Sequence, residues 1–180
     1  MRTAQTQLRS RSSPLALLRR VYLTVLLTHL PILAVLLLPQ GRSRVSSEAV
    51  AGVVTILLVS LVVAALVLSP VVCAWVAPDG ARWRAGNALS RVKALIRTDR
   101  RDYLRRLGEF AALYVLAQCL GGLMAWLVPY IGENPLHGTD PAAERWVFRY
   151  WPFALHAATL YTSICAAFAW YAWRLRQLAA

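Results

Sequence analysis

The amino-acid sequence predicts an all-α integral membrane protein, namely a four-helix bundle with a basic amphipathic cytosolic helix between spans two and three. Three observations predict this fold. Apolar residues make up 58% of the 180 residues and charged residues only 16%, whereas about a quarter of an ordinary soluble domain is charged. The apolar residues form four long stretches. Most basic residues lie on one side of those stretches.

Each stretch is long enough to cross a bilayer, whose hydrocarbon core needs about 20 apolar residues per helix. The interiors of these stretches contain no Asp, Glu, Lys or Arg. Pro70 predicts a bend near one end of the second stretch. Residues 1–20 are interpreted as a basic N-terminal tail, and residues 21–180 as one transmembrane domain. The predicted spans are 21–39, 50–76, 110–131 and 150–173.

The distribution of Arg and Lys predicts the orientation, because cytosolic loops are enriched in these residues. Sixteen of the twenty basic residues lie in the N-terminal tail, the loop after span two and the C-terminal end. We therefore expect both termini in the cytosol. A bacterial inner membrane is the predicted location, and a mitochondrial inner membrane is the alternative, because an Arg-rich, acid-free N-terminus is also typical of a presequence. The net charge is +12, and we expect the basic residues to face the membrane surface and not to bind nucleic acid.

The loop between spans two and three predicts a basic amphipathic helix lying on the membrane, because Leu89, Val92 and Ile96 recur near helical spacing between basic residues. Thr98 and Asp99 predict the cap of a new helix that continues into span three. The basic side chains are expected to contact anionic lipid head groups or an acidic partner protein. They are Arg91, Lys93, Arg97, Arg100, Arg101, Arg105 and Arg106.

Polar side chains inside a membrane are costly, so they indicate packing or function. The candidates are His29, Gln118, His156 and Thr159, which would line the pathway of a channel or transporter. Two histidines on facing helices could also hold a haem. However, the predicted span edges place the two histidines at depths about 9 Å apart, whereas two axial ligands need similar depths. No cofactor is therefore predicted, and haem remains a minor alternative.

Small residues at every fourth position predict close contacts between helices. They occur in spans three and four, which a short loop joins, so we expect these two faces to pack against each other or against another subunit. The predicted packing residues are Ala117, Gly121, Gly122, Ala125, Ala154 and Ala158.

The outer loop between spans three and four contains Glu133, His137 and Asp140, whose side chains are types that bind metals. Pro and Gly residues in the loop argue against the helix that would align them. We therefore predict a solvated loop and no metal site. The three cysteines lie far apart in apolar segments and are interpreted as small buried hydrophobic residues. They are Cys73, Cys119 and Cys165.

The sequence contains no phosphate-binding loop, zinc-protease motif or nucleophile elbow. It also has no carboxylate inside the spans, on which proton-coupled carriers usually depend. The prediction is a small polytopic inner-membrane protein that acts as a subunit or accessory factor of a larger membrane complex. Its expected partners are anionic lipids and other membrane subunits or copies of itself. The alternatives are a homo-oligomeric channel or transporter, and a membrane haem protein or enzyme.

Overall fold

The computed structural model describes residues 13–38, 48–140 and 143–179. Within these ranges the chain is mostly helical, with six helices and one pair of short strands. Three helices are long and apolar enough to cross a membrane, and a bent pair of shorter helices makes a fourth span if the pair crosses as one unit. These helices indicate a membrane protein.

The first helix, α1, begins earlier than the predicted first span. It covers Pro14–Thr28, so part of the predicted basic tail is helical, while residues 1–12 lie outside the described residues. The Ser13 hydroxyl accepts a hydrogen bond from the backbone N–H of Ala16 at 3.2 Å, and Pro14 occupies the first helical position. Both features are favourable at a helix start.

The first predicted span consists of two helices instead of one. α1 ends at Thr28, and α2 covers Leu30–Leu36 at an angle of 53°. Pro31 has no N–H to donate to the Leu27 carbonyl, and a proline ring clashes with that position of a continuous helix. His29 therefore lies at the break between α1 and α2. The predicted end of this span, residue 39, lies outside the described residues.

The next helix, α3, covers Glu48–Val76 and is assigned without a break through Pro70, so a bend there stays a prediction. Its buried residues begin at Ala65 and lie in its second half, while most of its first half is exposed. The buried Ser69 hydroxyl donates to the Ala65 carbonyl at 2.6 Å. Only one end of α3 therefore packs closely into the bundle.

The basic segment after α3 forms a separate short helix, as predicted. α4 covers Ala88–Thr98, and α5 covers Arg100–Leu127. Asp99 lies between them, and its side chain accepts a hydrogen bond from the backbone N–H of Asp102 at 3.3 Å. This contact confirms the helix start predicted at Thr98 and Asp99. Four of the basic residues assigned to the surface helix belong instead to α5, namely Arg100, Arg101, Arg105 and Arg106.

The loop after α5 contains two short strands, which corrects the purely helical prediction. β1 covers Ile131–Glu133 and pairs antiparallel with β2, Trp146–Phe148. α5 ends at Leu127, so residue 131 is not part of a helix. Val128 precedes Pro129 and has φ −129° and ψ 79°. The residue before a proline is disfavoured in the helical region, which explains why the helix stops there.

The last helix, α6, covers Tyr150–Ala179 and forms the centre of the described structure. It packs against α1, α3 and α5 and contributes more buried residues than any other described helix. Two long-range hydrogen bonds attach it to its neighbours. The Tyr161 hydroxyl donates to the Leu26 carbonyl, and Arg176 Nε donates to the Ala77 carbonyl at 2.8 Å.

Candidate functional site

His29 is buried at the break between α1 and α2, with 5% of its surface exposed. Its ring lies against Phe168 of α6, with centroids 5.2 Å apart. Its Nδ1 atom lies 2.9 Å from the Val25 carbonyl oxygen. The His29 imidazole therefore packs between the α1–α2 break and α6, and it makes a polar contact with the last turn of α1.

His156 is buried near the other end of α6, with 6% of its surface exposed. Its ring stacks on Tyr130, with centroids 5.8 Å apart and ring planes 8° apart. His29 contacts α6 at Phe168, and twelve residues of helix between His156 and Phe168 correspond to about 18 Å. The two imidazoles therefore do not fit as the two axial ligands of one haem.

The other two intramembrane candidates lie in different surroundings. Gln118 is exposed on the outer surface of α5. Thr159 is half-buried, and its hydroxyl donates to the Leu155 carbonyl at 2.9 Å within α6. The four predicted polar residues do not share one surface of the single chain. A pathway lined by all four would need a second copy beside Gln118.

α4 is fixed against the bundle through its apolar side. Ala88 is fully buried, and Val92 and Leu95 pack against the core. Trp83, in the turn before α4, is also fully buried. Of the predicted apolar stripe, Val92 contacts protein, whereas Leu89 and Ile96 are exposed. Contact of α4 with the membrane surface therefore stays a prediction.

Exposed basic residues on α4 and on the start of α5 form a cationic region, which we call the basic platform. Within the described residues, no carboxylate lies within salt-bridge distance of these five cations. The nearest acids in sequence are Asp99, which caps α5, and Asp102 in its first turn. The platform consists of Arg91, Lys93, Arg97, Arg100 and Arg101, all of which are exposed.

Glu109 of α5 forms ion pairs with the three other arginines near this end of the structure, which are Arg105, Arg106 and Arg174. Arg174 Nε of α6 donates to Glu109 Oε2 at 3.2 Å, and Arg106 Nη1 donates to Oε1. Arg105 Nε lies 3.9 Å from the same carboxylate. The Arg106 side chain is only 12% exposed. Arg106 is therefore mostly buried and paired with Glu109, unlike the exposed basic residues of α4, and its predicted contact with the membrane surface or a partner stays a prediction.

A groove of about 760 Å³ runs between α5 and α6 and ends at this cluster. Its walls are almost entirely apolar, and small residues form its floor. Glu109, Trp170 and Arg174 lie at one end of the groove. The walls and floor include Leu113, Leu116, Ala117, Leu120, Ala166 and Ala167.

The small-residue faces agree with the prediction only on α5. Ala117 and Gly121 are buried, and a Cβ atom at Gly121 would lie 3.1 Å from Leu160 and 3.2 Å from His156. Ala125 and Ala154 are half-buried, whereas Gly122 and Ala158 are exposed. α6 therefore presents Leu160 and His156 to the α5 glycine. Ala158 does not take part in this contact, and its packing against another subunit stays a prediction. A helix face that points to lipid need not be polar, so the small residues alone did not identify which faces of α5 and α6 contact each other.

The described part of the outer loop contains no group of three His, Cys, Asp or Glu side chains placed to hold a metal ion. Glu133 Oε1 lies 3.6 Å from Arg145, and His137 Nδ1 lies 3.2 Å from the Ala143 carbonyl. The cysteine prediction holds for Cys73 and Cys165, which are buried. Cys119 is exposed on α5, contrary to the prediction.

Comparison with known proteins found no matching family model, no similar curated protein and no similar solved structure. No functional residue can therefore be assigned to this chain from a relative.

Proposed function

We propose that this chain is a small polytopic inner-membrane protein that acts as a subunit or accessory factor of a larger membrane complex. The basic platform carries this proposal. Its five cations are exposed on α4 and on the start of α5, α4 is packed against the neighbouring helices, and no described carboxylate pairs with them. An acidic region of a partner protein would complement such a surface.

In this proposal the chain crosses the membrane four times. α1 and α2 together form the first span, and α3, α5 and α6 form the other three. The bent pair passes the length and hydropathy requirements for a span only as one unit. An excess of Arg and Lys marks the cytosolic side, so the basic platform and both termini face the cytosol, in a bacterial inner membrane.

The contacts of the polar groups inside the bundle support an interaction role. His29 stacks on Phe168, the Tyr161 hydroxyl binds the Leu26 carbonyl, and the Thr159 hydroxyl binds its own helix. The first two contacts hold neighbouring helices together, and the third is satisfied within α6. The exposed basic platform on α4 and the start of α5 is the charged surface that remains for a partner protein.

Native mass spectrometry of the full chain, extracted from its own membranes in mild detergent, tests this proposal. We expect a complex that contains other polypeptides. The double variant Lys93→Gln and Arg97→Gln should lose them, because it removes two charges from the platform. The matched control is Arg19→Gln with Arg20→Gln, which removes two exposed charges of α1 from the same predicted side of the membrane and should retain the partners.

A chain that emerges alone, or as a multiple of 20.0 kDa, would overturn the accessory role. A pure multiple would favour the homo-oligomeric channel, in which the exposed Gln118 would face a neighbouring copy. Partners that dissociate equally from the platform variant and from the control would show that docking does not use the platform.

A further inference from the structure

We infer that the groove between α5 and α6 binds one phospholipid with an anionic head group, taken from the leaflet on the α4 side. An acyl chain would lie along the leucines of the groove, and the phosphate would contact Arg174 and Arg105. This inference concerns a different surface from the basic platform and does not depend on a protein partner.

The length of the groove matches one leaflet. It runs along α5 from Glu109 to Leu120, and eleven residues of helix correspond to about 16 Å. This is about half of a hydrocarbon core of about 30 Å. A transmembrane helix of another protein would need a surface along the whole core, whereas an acyl chain needs only one leaflet.

The shape of the groove follows from side-chain size. Ala117 and Ala167 are buried in its floor, whereas Leu116 and Leu120 are exposed along its edge. Small residues bring the two helices close together, and the larger leucines beside them create a concave apolar surface. A flexible hydrocarbon chain fits such a surface without unpaired polar groups.

The charge at the end of the groove selects the head group. Three arginines surround the single carboxylate of Glu109, so the cluster keeps a net positive charge. The Arg174 guanidinium donates hydrogen bonds to Glu109 and, at 3.0 Å, to the side-chain oxygen of Gln177. Its Cζ atom also lies 5.6 Å from the centre of the Trp170 ring. Its guanidinium is therefore fixed at the point where a lipid phosphate would lie. Arginine binds phosphate with paired hydrogen bonds.

Arg105 adds a second contact. Its side chain is 71% exposed and lies at the far limit of ion pairing with Glu109, at 3.9 Å. It is therefore free to turn toward a head group at little cost, because exposed ion pairs contribute little to stability. Trp170 is also partly exposed beside Arg174, and tryptophan prefers the boundary between lipid tails and head groups.

The test is native mass spectrometry of the purified full chain titrated with phosphatidylglycerol or with phosphatidylcholine of the same acyl chains. We expect one phosphatidylglycerol to bind at least about fivefold more tightly than phosphatidylcholine, the effect of about one basic residue near an anionic head group. Arg174→Gln should remove this preference. The control Arg101→Gln, which removes an exposed charge of the same helix as Glu109, should keep it.

A second pair of variants tests the groove itself. Ala166→Trp fills the groove from α6 and should prevent binding of both lipids at this site. Ala158→Trp adds the same side chain to an exposed position two turns away, outside the groove, and should bind lipid like the original chain. Circular dichroism confirms that each variant is folded, and Ala166→Trp keeps the test valid if Arg174→Gln does not fold.

Equal binding of the two lipids, or unchanged binding after Ala166→Trp, would overturn the inference. Because these lipid measurements need no partner protein, their failure can be separated from a failure of the proposed accessory role. A chain that binds phosphatidylglycerol in the groove but associates with no other polypeptide would support the lipid site and contradict the accessory role.

Discussion

Gly121 of α5 packs directly against Leu160 of α6, and a Cβ atom at the glycine would lie 3.1 Å from Leu160 Cδ1. The next residue, Gly122, has nothing within 4 Å of the same position. We predict that Gly121→Leu separates α5 from α6 and lowers the free energy of unfolding by about 1–3 kcal/mol, the usual effect of overpacking.

Gly122→Leu is the matched control, and its unfolding midpoint in denaturant should equal or exceed that of the original chain, because Leu is a better helix former than Gly. Unfolding in mixed micelles, followed by circular dichroism, measures both variants. Equal midpoints for Gly121→Leu and Gly122→Leu would show that α5 and α6 do not approach each other at this glycine.

The hydroxyl of Tyr161 binds the backbone carbonyl of Leu26 in the last turn of α1. Carbonyls at this position have no partner within their own helix. We predict that Tyr161→Phe leaves the carbonyl without a hydrogen bond and destabilises the chain by about 1–3 kcal/mol.

Tyr22→Phe is the control for Tyr161→Phe, because the Tyr22 hydroxyl makes only a long contact of 3.4 Å with the Thr162 carbonyl. Its effect on the thermal midpoint in detergent should be smaller. A larger loss for Tyr22→Phe than for Tyr161→Phe would contradict the assignment.

The side chain of Asp99 caps α5 through the N–H of Asp102. Asp99→Ala should destabilise the first turn of α5 by about 1 kcal/mol, which corresponds to about fivefold faster amide exchange there. Hydrogen exchange measured by mass spectrometry on peptides covering residues 100–106 checks this. Asp99→Ser can still accept the hydrogen bond and should restore protection, so equally fast exchange in both variants would count against the cap.

The carboxylate of Glu109 pairs with Arg106 and Arg174, and both arginine side chains are more than two-thirds buried. Glu109→Gln should therefore lower the thermal midpoint clearly, because removing one partner of a partly buried ion pair leaves the other charge uncompensated. Glu133→Gln is the control, since Glu133 forms one exposed ion pair with Arg145 and should change the midpoint very little. A midpoint for Glu109→Gln as high as that of the control would show that the cluster contributes no stability.

The long helices of this chain could be predicted because each is encoded by a continuous apolar run. α3, α5 and α6 each contain most of a predicted span, although α5 begins ten residues before its span and ends at Leu127 instead of residue 131. The start of α5 was also predictable, since Asp99 is a strong capping residue placed between two helical patterns. In these cases the signal is local in the sequence and needs no knowledge of neighbouring helices.

The features that were missed depend on contacts between distant residues. The break at His29 was not predicted, and the buried His29 ring packs there against Phe168, which lies far away in the sequence. The two strands pair only because α5 stops at Leu127 and α6 begins at Tyr150.

The groove and the inward orientation of Arg106 were also missed. Lipid tails are as apolar as leucine, so hydrophobic periodicity does not mark the inside of a membrane helix. The sequence could therefore not identify which face of α6 meets α5. Arg106 and Glu109 are three residues apart on α5, but the sequence could not place Arg174 of α6 beside them.

The central position of α6 has a consequence for biosynthesis. A ribosome makes this helix after all the other described helices, yet α6 is the principal packing partner of α5. While α6 is still being synthesised, α5 must remain in the bilayer with much of its inner surface against lipid or a membrane insertase. We therefore expect nascent chains arrested before Tyr150 to be degraded faster than chains arrested after Ala179, a difference that pulse-chase labelling would measure.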